Sequence, residues 1–222
     1  MSQEKGIVGR IVGSMIRRSV RNRFHTVYYR TEGPSLTSPT ILYANHNGWM
    51  DGYLLFHLVS KVGLRCLDWI EEFDAFPLFA AVGGMRFSKG NIGARAMTVR
   101  KTIRLMKEDG YSLILFPEGV MHRPPSILKF GKAIEVVAKH VPGVQLAPVA
   151  IRYQLSMHER PEAWIWVGKP DSFKSIDHCE DQLASQLACL DKAIETNAPF
   201  ETLVEGTKDV NERWDMRRIP KK

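Results

Sequence analysis

The chain has 222 residues, of which 44% are hydrophobic and 25% charged, enough for one domain with a buried core that needs no disulfides. The formal net charge of +7 is local, because residues 1–30 hold seven basic side chains against one acidic side chain. No apolar run reaches the roughly 18–20 residues of a membrane span, and no signal peptide is recognisable. The cysteines, Cys66, Cys179 and Cys189, match neither a metal signature nor a disulfide framework, so we expect a cytoplasmic, reducing compartment.

The first predicted element is a helix over residues 6–22. Its apolar residues recur at spacings of three, four and five, and arginines occupy much of the remaining surface. The apolar residues are Ile7, Val8, Ile11, Val12, Met15 and Val20. We predict that residues 1–24 form a basic amphipathic helix on an anionic membrane surface, which makes the protein peripheral on the inner face of a membrane. The alternative is a helix that packs on the domain as an N-terminal cap.

Strands and helices alternate along the rest of the chain. The predicted strands are residues 25–30, 40–44, 64–70, 111–116, 145–152 and 163–167. The predicted helices are residues 49–60, 91–107, 126–140 and 177–196, with Asn91 as an N-cap and Gly110 just past the end of its helix. This alternation predicts a single α/β domain over residues 25–198, a mostly parallel mixed sheet covered by helices. Residues 199–222 are predicted to be a charged C-terminal tail.

The strongest chemical signal follows the predicted strand 40–44, in the segment Asn-His-Asn-Gly-Trp-Met-Asp at residues 45–51. His46 and Asp51 would diverge by about 140° on one continuous helix. They meet only if His46 lies in the loop and Asp51 lies on the first helical turn, a bend that Gly48 allows. A carboxylate then holds one ring nitrogen while the other accepts a proton. The alternative is a pair of ordinary polar loop residues.

A second signal, Phe116-Pro117-Glu118-Gly119, follows the most apolar predicted strand. A carboxylate at a strand end binds a hydroxyl or balances a cation, and a glycine lets a substrate approach the backbone. The alternative is a turn that simply ends the strand.

Together the two signals resemble the glycerolipid acyltransferase family, which includes 1-acylglycerol-3-phosphate acyltransferases. The resemblance continues through residues 127–134, a basic glycine-containing segment, and residues 146–151, a Val-Pro-Val-type strand, so that it covers roughly residues 40–170. It implies that His46 removes the proton from an acceptor hydroxyl while Asp51 orients the imidazole. It also implies that Glu118 and Gly119 line the acceptor site.

The partners implied by the resemblance are an acyl thioester donor, either acyl-CoA or acyl-carrier-protein, and a lipid acceptor at an anionic membrane. No cofactor, metal or nucleic acid is expected. No covalent acyl-enzyme is expected either, and the sequence agrees, because it has no Gly-x-Ser-x-Gly elbow.

The sequence departs from the family pattern at two arginines that are associated with the acceptor phosphate. Val120-Met121-His122 stands in place of Thr-Arg-Ser, and Gly90 stands where the middle block has its arginine. Substitutes are available nearby: Arg86, Lys89, Arg123 and Lys129. A lysine is not equivalent to an arginine fork as a phosphate ligand.

Three alternatives therefore remain at this point. One is the same chemistry on a non-phosphate acceptor such as a glycolipid, a terpenoid glycoside or an ornithine lipid. Another is a catalytically silent, membrane-associated lipid-binding protein. A third, nucleic-acid binding through residues 5–30, is disfavoured by the apolar stripe of the first helix. His57 and His122 are predicted to be polar surface or hydrogen-bonded core residues.

Overall fold

The computed structural model of the protein describes residues 4–33, 35–88, 90–155 and 157–214. Within these ranges the strands are β1 (Thr26–Thr31), β2 (Thr40–Ala44), β3 (Cys66–Ile70), β4 (Gly84–Arg86), β5 (Ser112–Leu115), β6 (Gln145–Gln154), β7 (Glu162–Val167) and β8 (Glu201–Glu205). They form one sheet in the order β4-β3-β5-β2-β6-β7-β1-β8. Neighbouring strands pair in parallel, except for the β6–β7 and β1–β8 pairs. The predicted α/β fold with a mostly parallel mixed sheet is confirmed.

Helices cover both faces of this sheet. In chain order they are α1 (Gly6–Arg23), α2 (Asp51–Val62), α3 (Ile92–Asp109), α4 (Ala133–His140), α5 (Ile176–Glu195) and α6 (Val210–Arg213), with short 3-10 helices at Phe73–Ala75 and Pro77–Val82. Helices α1 and α2 pack on one face, and α3, α4 and α5 pack on the other. Strands β2 and β5 are buried along their whole lengths, as central strands covered on both faces must be.

The residues that cap the two ends of α3 are those that the sequence predicts. The side chain of Asn91 accepts a hydrogen bond from the Ala94 amide at 2.9 Å, which caps the N-terminus of the helix. Gly110 ends it in the left-handed conformation, with φ of 63°.

The helix predicted over residues 126–140 is wrong in its first half, because α4 begins only at Ala133. The backbone amides of the preceding segment bind partners outside it. Leu128 donates to the Glu118 carboxylate at 2.6 Å, and Phe130 donates to the Glu180 carboxylate at 2.7 Å. Gly131 donates to the Pro117 carbonyl at 2.8 Å. Carboxylate acceptors form stronger hydrogen bonds than helical carbonyls do, so an extended segment replaces two turns of helix.

The prediction of a charged tail over residues 199–222 also needs correction. Glu201–Glu205 forms β8, which pairs antiparallel with β1 and makes an edge of the sheet. Tyr29 donates a hydrogen bond to Glu201 at 2.7 Å, and Val204 is buried. The acidic side chains at both ends of β8 made this segment resemble a charged tail, although charged residues are common on edge strands.

Helix α1 packs on the domain and also carries exposed apolar side chains; its predicted place on a membrane surface stays a prediction. Val12, Ile16 and Val20 are buried against the domain, so the helix is a cap on the fold. Its other apolar residues face outward: Ile7, Val8, Ile11 and Met15. Among the described residues, no helix has the length and hydrophobicity to cross a bilayer.

Candidate active site

Three parallel strands bring the site together at one edge of the sheet. β2 lies between β5 and β6 and runs parallel to both, so their carboxyl ends meet. His46 follows β2, Glu118 follows β5, and Tyr153 lies near the end of β6. Open α/β sheets place their ligands at such an edge. The loop after β2 is anchored by Asn45, which exchanges two hydrogen bonds with the backbone of Ile151, at 2.8 and 3.1 Å.

His46 and Asp51 form the predicted pair. His46 Nδ1 lies 2.8 Å from Asp51 Oδ2. Asp51 is the first residue of α2 and is fully buried, whereas the His46 side chain keeps 27% of its exposure. The imidazole stacks on the ring of Phe116, with the centroids 4.3 Å apart. Because the carboxylate occupies Nδ1, the ring presents Nε2 for proton transfer.

The Asp51 carboxylate is held by further donors. The Gly48 amide donates to Oδ2 at 2.9 Å, and the Tyr153 hydroxyl donates to Oδ1. Burial, followed by the charge of Asp51, raises the pKa of Tyr153, so its hydroxyl stays protonated as a donor. A Cβ on residue 48 would lie 2.4 Å from the Tyr153 ring, so this close approach requires the glycine.

Glu118 joins three loops around the site. Its Oε1 accepts a hydrogen bond from the His46 amide at 3.0 Å, and its Oε2 accepts one from the Leu128 amide at 2.6 Å. His122 Nε2 also bonds Oε2. The Glu118 side chain is fully buried. Its contacts therefore position the backbone of His46 and of the segment before α4. The role predicted for it, lining the acceptor site, stays a prediction.

Gly119 ends the turn after β5. Its φ of 72° lies in the left-handed region, and its amide donates to the Phe116 carbonyl at 3.1 Å. No atom lies within 4 Å of a Cβ built there, so backbone conformation explains the glycine.

Two of the cations predicted as phosphate ligands, Arg86 and Lys129, are held in exposed ion pairs. Arg86 pairs with Asp74, and both side chains are more than half exposed. Lys129 bonds Glu180 at 2.7 Å and is 85% exposed. Arg123 is exposed on the loop after Gly119, and Lys89 lies outside the described residues.

Several contributors to this edge were missed by sequence reasoning. Tyr153 lies 102 positions from Asp51, and no local pattern links them. His122 was predicted to be a polar surface or hydrogen-bonded core residue, and its ring does bond Glu118. Its contact with the His46 loop, through an amide that donates to the His46 carbonyl at 3.0 Å, was not predicted. Its spacing of four residues from Glu118 was the available signal.

Two partly buried ionisable groups lie on or beside α2. Burial raises the pKa of Asp68, on β3, to about 7, although the nearby His46 charge lowers it. Burial, with Arg17 and Arg21 nearby, lowers the pKa of His57 to about 4. Asp68 therefore titrates near neutral pH, and His57 is neutral there.

Comparison with known proteins agrees with this geometry. No curated protein matches the sequence significantly. The fold is similar to the crystal structure of the 1-acyl-sn-glycerophosphate (LPA) acyltransferase PlsC from Thermotoga maritima, with a TM-score of 0.53 and 17% sequence identity, over 85% of this chain and 79% of that chain. The model of the family described as Acyltransferase matches residues 21–152, which include His46, Asp51 and Glu118. The chain belongs to the Acyltransferase family.

Proposed function

We propose that the protein transfers a fatty acyl group from an acyl thioester to a hydroxyl of a lysophospholipid-like acceptor, with His46 as general base. The observation that carries this proposal is the 2.8 Å hydrogen bond between His46 Nδ1 and the fully buried Asp51 carboxylate. A buried carboxylate fixes the tautomer in which Nε2 accepts a proton, and it stabilises the imidazolium that forms.

The reaction needs two proton transfers, one from the acceptor hydroxyl to His46 and one from His46 to the leaving group. His46 Nε2 takes the hydroxyl proton as the acceptor oxygen attacks the thioester carbonyl. The tetrahedral intermediate then collapses, the carbon–sulfur bond breaks, and the imidazolium returns the proton to the departing thiolate. Asp51 keeps its charge throughout, and the Tyr153 hydroxyl holds Oδ1 in place.

A second candidate, a non-phosphate lipid acceptor, is favoured by a separate observation. A phosphate inside a site normally needs charge-assisted, often bidentate contacts to replace its hydration. Arg86 and Lys129 are instead paired with Asp74 and Glu180 at the surface. An acceptor that presents a sugar or glycerol hydroxyl and no phosphate needs no charged contacts of this kind.

One assay separates the two candidates. Purified protein receives a labelled acyl-CoA and vesicles that contain lysophosphatidate, monoacylglycerol or a neutral glycolipid. Preferred transfer to lysophosphatidate supports the first candidate, and preferred transfer to a neutral lipid supports the second. Asp51→Asn is the matched control, because it keeps the size of the side chain. Failure of all acceptors, with acyl-carrier-protein also tested as donor, rejects acyl transfer.

The same proposal places the protein on a membrane through α1. Ile7, Ile11 and Met15 are each more than half exposed and lie along one side of the helix, while Arg10 and Arg18 are exposed beside them. An apolar stripe flanked by arginines suits the headgroup region of an anionic bilayer. Because Val12 and Val20 belong to the core, deletion of the helix would damage the fold.

Substitution of the exposed stripe is therefore the sharper test. Ile7→Ser/Ile11→Ser/Met15→Ser should lose flotation with anionic liposomes and keep its thermal stability. The matched control is Ile92→Ser/Met97→Ser/Val136→Ser, which alters exposed apolar residues of α3 and α4 on the opposite face. Equal flotation of the two triple variants removes α1 as the anchor.

The thioester donor is proposed to approach along α3. A surface cavity of about 480 Å³ there is lined by Arg86, Arg100, Lys101 and Arg104. Acyl-CoA and acyl-carrier-protein both present a phosphopantetheine thioester, and anionic groups flank it in each. Arg100→Ala/Arg104→Ala should therefore raise KM for the donor and leave KM for the acceptor unchanged. Unchanged KM for both donors removes α3 from donor binding.

A further inference from the structure

Four metal-ligating side chains converge away from His46. His25 precedes β1, and His158 lies in the β6–β7 loop. Asp209 caps the N-terminus of α6, and Glu212 lies in the first turn of that helix. One potential ligand atom from each lies within 4.8 Å of the others. The cluster joins three segments that are distant in sequence, so the tertiary fold assembles it.

Two short contacts already exist inside this cluster. His25 Nε2 lies 3.0 Å from Glu212 Oε2, and His158 Nδ1 lies 2.7 Å from Asp209 Oδ2. The two imidazole rings stack with their centroids 3.4 Å apart and their planes within 5°. Neighbouring donors of a tetrahedral zinc ion lie about 3.3–3.5 Å apart, given bonds of about 2.0–2.1 Å. The widest separation therefore has to contract by up to about 1.5 Å, and one of the two parallel imidazole rings has to rotate so that both ring planes contain the ion.

Secondary contacts orient the potential ligands, as they do in metal sites. His25 Nδ1 lies 3.0 Å from the Thr26 hydroxyl, which fixes the ring and leaves Nε2 toward the cluster. Asp209 Oδ1 accepts the Glu159 amide at 2.9 Å, so Oδ2 remains on the side of His158. The Glu212 carboxylate accepts the Asp209 amide at 2.8 Å in a capping box.

The charges of the cluster fit a divalent cation. Two carboxylates supply two negative charges, and two neutral imidazoles supply lone pairs. One divalent ion satisfies both carboxylates while both rings stay neutral.

We infer that His25, His158, Asp209 and Glu212 bind a divalent transition-metal ion of the Zn²⁺ class. Imidazole and carboxylate ligands without thiolate suit Zn²⁺ and its neighbours, whereas Mg²⁺ and Ca²⁺ prefer all-oxygen sites. Four protein ligands leave no open position in a tetrahedral shell, which makes the site structural.

The site ties the C-terminal segment to the start of β1. It also adjoins the support of the catalytic pair, because Phe24, beside His25, stacks on Tyr153 with the centroids 5.8 Å apart. Tyr153 in turn donates to Asp51. Metal binding therefore stabilises β8 and α6, and it restricts the aromatic pair behind Asp51.

The test uses the full chain without an affinity tag, stripped with chelator and then dialysed. One equivalent of Zn²⁺ should bind, and Tm should rise by about 5–10 °C at a hundredfold excess over Kd, while Mg²⁺ gives no rise. Cobalt added in place of zinc should give the visible absorption of a tetrahedral complex. This measurement needs no variant, so it stands even if a substitution prevents folding.

Variants then assign the ligands. His158→Ala and Asp209→Asn should each lower zinc affinity at least tenfold and remove most of the Tm rise. His140→Ala, at an exposed histidine of α4, is the matched control and should behave as wild type. The inference is overturned if stripped wild-type protein shows no zinc-dependent Tm rise, or if His158→Ala/Asp209→Asn binds zinc as tightly as wild type.

Discussion

The His46–Asp51 pair and the basic groups predicted to bind an acceptor phosphate differ in how the fold constrains them. The Asp51 carboxylate is fully buried and bonded by His46, Gly48 and Tyr153. By contrast, Lys129 is 85% exposed in its ion pair with Glu180. Buried, fully bonded groups are preorganised for chemistry, whereas exposed ion pairs are screened and mobile. In the proposed mechanism, the groups for proton transfer are therefore held firmly, whereas the basic groups predicted to bind the acceptor are held by weaker contacts.

The largest expected effect comes from removal of the general base. His46→Ala should lower kcat by about 10²–10⁴, the usual range for general-base catalysis. Steady-state acyl transfer by purified protein measures this, and Tm should remain near that of wild type because the ring is partly exposed. His140→Ala is the matched control. Near-full activity of His46→Ala would exclude His46 as the base.

The second-largest effect is expected from loss of the Tyr153 hydroxyl, which donates to Asp51. Tyr153→Phe leaves a buried carboxylate oxygen without its hydroxyl donor, which costs about 1–3 kcal/mol of stability. Activity should fall by less than it does in His46→Ala. Urea unfolding measures the stability loss, and Tyr28→Phe, at a half-buried hydroxyl elsewhere, is the control. Equal stability of Tyr153→Phe and wild type would remove this contact from the account.

The third prediction concerns Asp68, whose pKa is raised to about 7 by burial. The folded state holds this proton more tightly than the unfolded chain does, so the group lowers the free energy of unfolding as pH rises from about 4 to 7. Asp68→Asn removes this dependence. Its stability relative to wild type should therefore increase between pH 5 and pH 8. A pH-independent difference between the two proteins contradicts the raised pKa.

The smallest expected effect is at the surface. Lys129→Ala should change KM for lysophosphatidate by less than about threefold, because an exposed ion pair contributes little. A tenfold rise in KM would show that Lys129 leaves Glu180 to bind the acceptor phosphate. Lys139→Ala, in the exposed Glu135 pair, is the control.

The sequence was informative where neighbours in the chain decide the structure. His46 and Asp51 are five residues apart, and a loop followed by a helix start was enough to predict their contact. The edge strand β8 and the extended segment before α4 were missed because their partners are distant in sequence: β1, Glu118 and Glu180. Tyr153 and the cluster around His158 likewise depend on contacts that only tertiary folding creates.

In the proposed mechanism His46 and Asp51 act as one unit, and a double-mutant cycle of kcat/KM tests this most directly. His46→Ala, Asp51→Asn and the double variant are compared with wild type under the same acyl-CoA and acceptor conditions. If Asp51 works only through His46, the double variant should lose about as much activity as His46→Ala alone, because effects within a catalytic unit are not additive. Losses that multiply would mean that the two residues act independently, and this would contradict the account.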